Sequence, residues 1–132
     1  MAAPLPSRYA DVPERVPESL SDLHGPTAGT VPLPLHLSWS GARRYDVTEL
    51  SGRLRLYQIV ITEGLRPDIE RFLDAGYLMT VWPKLRRLLH PGYVRPWEER
   101  FPELVAAAEA AEPALQEELR RARRAAREGL PL

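Results

Sequence analysis

Proline sets the first limit on this chain. Fourteen of its 132 residues are proline, and seven of those stand before position 40. Each fixes φ and removes a backbone donor, so proline-dense stretches neither propagate helices nor fill central strands. Residues 1–31 show no sustained periodicity. They are punctuated by Pro4, Pro6, Pro13, Pro17, Gly25, Pro26 and Gly29, and read as a mobile arm with one helical turn over 17–23.

From Val31 the pattern changes. Leu33, Leu35, Leu37 and Trp39 alternate with other residues, and period two means an extended strip with one apolar edge. Pro32 and Pro34 deny it ladder donors, so it is polyproline-like or an edge strand. No second strand is evident to pair with it, so it must lie on helices or on a partner. A turn over 41–46 leads into the folded part.

Asp46 to Glu49 has capping-box spacing, and Ser51 is an equally good N-cap. Leu50, Leu54, Tyr57 and Ile61 then fall at helical spacing, ending at Gly64. Residues 56–62 are rich enough in β-branched side chains for a strand to remain the alternative. Pro67 suits the first turn of a short helix with Ile69, Phe72 and Leu73 inward. Asp74 can cap a third helix over 76–81, which Pro83 should break before a further turn through Leu89. Across that break Leu78, Val81, Trp82, Leu85, Leu88 and Leu89 hold one face. Val94, Trp97, Phe101 and Leu104 mark another amphipathic helix.

Residues 103–128 are Ala, Glu and Arg with few large apolar side chains. They predict a solvated terminal helix, kinked or divided at Pro113, acidic at Glu117-Glu118 and basic from Arg120 to Arg127. The expected fold is therefore all-α. It has a flexible arm (1–31), a compact domain of four to five short helices (32–105) and a C-terminal helix (106–132). A domain of that size buries only about 60% of its extended-chain surface, so a partner or a second copy would help it.

Composition excludes whole classes of function. Without cysteine there are no disulfides, thiolate zinc sites or thiol nucleophiles, and a small domain without staples suits a reducing cytoplasm. The N-terminus has no apolar core of a signal peptide, and no apolar run is long enough to span a membrane. Eighteen basic and eighteen acidic residues give a net charge of zero, which removes the bulk electrostatic case for nucleic acid. Locally the balance shifts: eleven basic against eight acidic residues over 41–101 give +3.

Catalytic constellations are absent. His24, His36 and His90 have no neighbouring ligands at metal spacing. Ser38 and Ser40 lie near His36, but no glycine elbow frames them, and no phosphate-loop glycine motif occurs. Glu98-Glu99 and Glu117-Glu118 read as solvated helix faces. The expectation is a protein that is not an enzyme and has no metal or cofactor. A small helix-turn-helix is the alternative, with Lys84, Arg86, Arg87, Arg43 and Arg44 as its basic residues, though Pro83 interrupts its recognition helix. The positive evidence favours protein binding. Leu35, Leu37 and Trp39, followed by Arg43, Arg44 and Tyr45, join an apolar edge to the three residue types that dominate interface hot spots. The competing reading folds the strip over the chain's own helices.

Several blocks also form a familiar series. They are Leu37-Ser38-Trp39-Ser40-Gly41-Ala42-Arg43-Arg44-Tyr45-Asp46, the run from Arg53 to Val60 with Glu63-Gly64, Val81-Trp82-Pro83 with Leu85, and Val94-Arg95 with Trp97-Glu98 and Phe101-Pro102-Glu103-Leu104. In this order they resemble small actinobacterial proteins encoded beside nucleotidyltransferase-like toxins of the abortive-infection type. The resemblance covers about residues 35–104, and Val81 departs from it where the pattern has leucine. It implies an antitoxin that binds the transferase and blocks its active site or substrate access. It carries over no residue roles.

Overall fold

The computed structural model describes residues 9–38 and 43–129. Among them run α1 (Val12–Arg15), a 3-10 turn (Leu20–Asp22), β1 (Thr30–Pro32), β2 (Arg44–Asp46), α2 (Leu50–Glu63), α3 (Arg66–Phe72), α4 (Ala75–Leu88), α5 (Pro91–Arg100) and α6 (Pro102–Arg127). The protein is mostly helical, but the all-α expectation is corrected by a two-stranded antiparallel sheet.

That sheet pairs Thr30 with Asp46, Val31 with Tyr45 and Pro32 with Arg44. Leu33 N–H donates to the Arg43 carbonyl and Val47 N–H to that of Gly29. These bonds put Pro32 at a non-bonded position, where a missing N–H costs nothing. The leucine strip is not extended throughout. Leu37 N–H donates to Pro34 O at 3.0 Å and Ser38 N–H to Leu35 O at 3.1 Å, coiling 34–38 into a turn.

Residues 56–62 are helical. Leu56, Tyr57, Val60 and Ile61 form the buried face of α2, and a strand would have divided them between two faces. Pro83 and Pro113 both lie inside continuous helices. Pro83 forfeits one backbone bond, but it sits among Leu78, Val81, Trp82 and Leu85, all buried. Packing of that face offsets an intrinsic cost of about 3 kcal/mol. Leu88, expected inward, is exposed.

α4 packs against α2 on one side and α6 on another, with α5 bridging α6 and α1. Between them lie Trp82 and Trp97, ring centroids 6.2 Å apart. Glu98 closes this region. It accepts from Trp82 Nε1 at 2.9 Å and from Arg86 Nε at 2.8 Å. Burial alone would raise the Glu98 carboxyl, but these two donors and the Arg86 charge outweigh it and hold it below the usual range.

The stretch expected as a mobile arm packs on the helices from Tyr9 onward. Tyr9, Val12, Val16 and Leu23 are buried, and the Tyr9 ring stacks on His90 at 4.4 Å. Its irregular backbone is satisfied from the body. Arg66 donates to Glu14 O at 2.6 Å, and Arg100 to Pro17 O at 3.3 Å. His24 N–H donates to Glu70 O, and Gly25 N–H to Leu73 O. Guanidinium donors reach carbonyls that no helix or sheet would have satisfied.

Candidate partner-binding cleft

Helix α2 has two used faces. Behind its core face, Arg55, Gln58, Ile59, Thr62 and Glu63 follow an i, i+3, i+4, i+7, i+8 pattern. They form one wall of a cavity of about 660 Å³. Leu37, Ser38, Arg43 and Tyr45 form the opposite wall. Alternation along the strand turns Arg43 and Tyr45 toward α2 and Arg44 the other way. The contact of α2 with β2 is close: a Cβ on Gly52 would stand 2.2 Å from Asp46 O, so only glycine admits this approach.

The six residues expected to bind a partner are thus distributed unequally. Leu37 is only 3% exposed and contributes floor, while Leu35 is 72% exposed on the outside of the turn. Arg43 and Tyr45 line the cleft, and Arg44 is exposed on the other face of the strand. Trp39 lies outside the described residues. His36 Nε2 meets Asp68 Oδ1 at 2.8 Å, and Asp68 Oδ2 accepts from Leu65 N–H at 3.0 Å. This link ties the turn bearing Leu35 to the start of α3, where Leu65 is 60% exposed.

The charges around the cleft are unspent. Arg43, Arg44 and Arg55 have no ion pair or side-chain hydrogen bond among the described residues. Helix α4 behaves oppositely. Lys84 pairs with Glu118 at 3.4 Å, Arg86 with Glu98 at 2.8 Å and Arg87 with Glu112 at 2.9 Å. Of the five basic residues of the helix-turn-helix alternative, the three on α4 are therefore ion-paired, whereas among the described residues Arg43 and Arg44 are not.

The α2 wall escaped sequence reasoning. Its signal was Ile59, one apolar residue more than a single buried stripe needs, amid polar residues at the same helical spacing. Among the described residues no group of three or more His, Asp or Glu could hold a metal ion, and no helix is long and apolar enough to cross a membrane. Comparison with protein-family models, with curated proteins and with solved structures returns no match.

Proposed function

We propose that the protein is a non-catalytic binding protein, an antitoxin-like inhibitor that acts in the cytoplasm on a nucleotidyltransferase-type toxin. It docks through the cleft that Leu37, Ser38, Arg43 and Tyr45 form with α2. The observation that carries the binding reading is one concavity in which the unspent cations Arg43 and Arg55 share the lining with Leu37, Tyr45 and Ile59, with exposed Leu35 on the turn that bears Leu37. Apolar anchors beside arginine are what an interface core uses, and guanidinium groups bind carboxylates in bidentate fashion. The identity of the partner is supported by the motif resemblance over 35–104.

Co-expression with the product of the adjacent gene tests both halves. The expected result is co-elution on a sizing column, lost in the R43E/R55E variant, whose reversed charges cost about 2–5 kcal/mol if both arginines meet carboxylates. Free separation of the two parent proteins would refute the toxin as partner. Unchanged co-elution of the variant would refute the cleft as the docking site.

A further inference from the structure

Helix α6 outruns the body of the protein. Its last buried residue is Leu115, and its last ion pair to another element is Glu118 with Lys84. Residues 119–127 continue past that point for about 14 Å at 1.5 Å per residue. This end carries Arg120, Arg121, Arg123, Arg124 and Arg127; five arginines against Glu128 alone give a net of +4 over 119–128. Arg120 and Arg121 turn back to Glu117 at 3.0 and 4.0 Å. Arg123, Arg124 and Arg127 make no ion pair or side-chain hydrogen bond among the described residues.

Favourable interaction with the helix dipole accounts for cations in the last turn only. It covers Arg124 and Arg127 and leaves Arg120, Arg121 and Arg123 over. Arg120, Arg123, Arg124 and Arg127 fall at i, i+3, i+4 and i+7, and with Ala126 they line one shallow concavity.

Within α6, Glu112, Glu117 and Glu118 are already paired, and residues 119–127 contain no carboxylate, so two such ends side by side would set arginine against arginine. A protein interface needs apolar or aromatic anchors, and beyond Leu119 the helix offers only arginine and alanine up to Arg127. Single strands are held by aromatic stacking, which is missing here, and the deep, narrow major groove of A-form RNA does not admit a helix. The B-form major groove, about 12 Å wide, admits an α-helix, and the alanines at 122, 125 and 126 keep this one slim.

The geometry points to a second binding surface: the projecting end of α6 binds the phosphate backbone of duplex DNA, without reading sequence. It is separate from the cleft and does not rest on the docking reading.

The test is fluorescence anisotropy of the full chain with a labelled duplex of about 20 base pairs, starting near 50 mM salt. Three unspent arginines give a log–log salt slope of about −2.7, so doubling the salt should weaken binding about sixfold. R123Q/R124Q/R127Q, which keeps helix propensity, should weaken it at least tenfold at unchanged helical circular dichroism, while R71Q, at an exposed position on α3 outside both surfaces, should match the parent. The proposal is overturned if the parent does not bind at the lowest salt or the triple variant binds as tightly as the parent. It is equally overturned if poly-glutamate displaces the duplex at equal charge, which would make the surface a generic acceptor of acidic chains.

Discussion

Leu35 and Leu37 stand two residues apart, and a strand would give them one fate. The turn over 34–38 gives them two. Leu37→Ala removes three buried carbons, worth about 2.4 kcal/mol at 0.8 kcal/mol per methylene. The site borders an open cleft, so little sealed void remains and the cavity term stays small. A destabilisation of about 2–3 kcal/mol is expected in urea unfolding followed by tryptophan fluorescence, with the slope against denaturant unchanged. For a chain of this length that lowers Tm by about 8–12 °C.

Leu35→Ala should leave the free protein within about 0.5 kcal/mol of the parent, because the side chain is 72% exposed already. Its effect belongs to the complex. Covering most of a leucine is worth about 1–2 kcal/mol, a loss of about five- to thirtyfold in affinity by calorimetric titration with the partner. The reasoning is refuted if Leu35→Ala destabilises the free chain by more than about 1 kcal/mol. It is refuted as well if Leu37→Ala proves neutral, since either result would mean that the strip is not folded as a turn.

Two further outcomes probe the body. Gly92 lies under the Tyr9 ring, where a Cβ would stand 2.5 Å from Cγ; Gly92→Ala should therefore expose the N-terminal segment to limited proteolysis near Tyr9, and a parent-like digestion pattern would contradict the packing of that segment. Burial pushes the Tyr57 hydroxyl up to about 12, so the unfolded chain ionises first near pH 10 and stability falls as pH rises from there toward 12. Against Tyr57→Phe, the parent should lose about 2 kcal/mol more across that window; coincident pH profiles from denaturant titrations would show that the hydroxyl keeps its ordinary value when folded.

Local signals in the sequence were enough for most helices. Val94, Trp97, Phe101 and Leu104 repeat at helical spacing and are all buried, because the periodicity of one helix records a face that meets the core. Trp82 is fixed in the same way. What escaped depends on residues distant in the chain. Val12 and Val16 are buried because Arg66 and Arg100, more than fifty residues on, hold the carbonyls of their segment. β2 spans only Arg44–Asp46 and gives no periodic signal of its own; its partner, Thr30–Pro32, contains a proline that argues against a strand unless the register is known. The cleft was half legible. Arg43 and Tyr45 suggested an interface by type, but the α2 wall became visible only when the turn was set against it.

Seventeen of the eighteen basic residues are arginine, so the choice of arginine at any one position says little. What each arginine touches says more. Arg66 and Arg100 hold backbone carbonyls, Arg86 and Arg87 hold carboxylates, and Arg53 lies 4.0 Å from the Tyr77 ring centroid. An unspent guanidinium on a surface is well hydrated and needs no explanation singly. Several gathered with fewer carboxylates than guanidinium groups are different, since they repel one another, and an incoming anion relieves that repulsion. This occurs twice, around the cleft and along the end of α6, and the two places differ in their neighbours. At the cleft the cations share the lining with Leu37, Tyr45 and Ile59, so the proposed docking there would draw on apolar burial, which salt leaves largely intact. On α6 they stand among alanines, so binding there has only charge to draw on and salt removes it. Ionic strength therefore separates the two surfaces without a mutation.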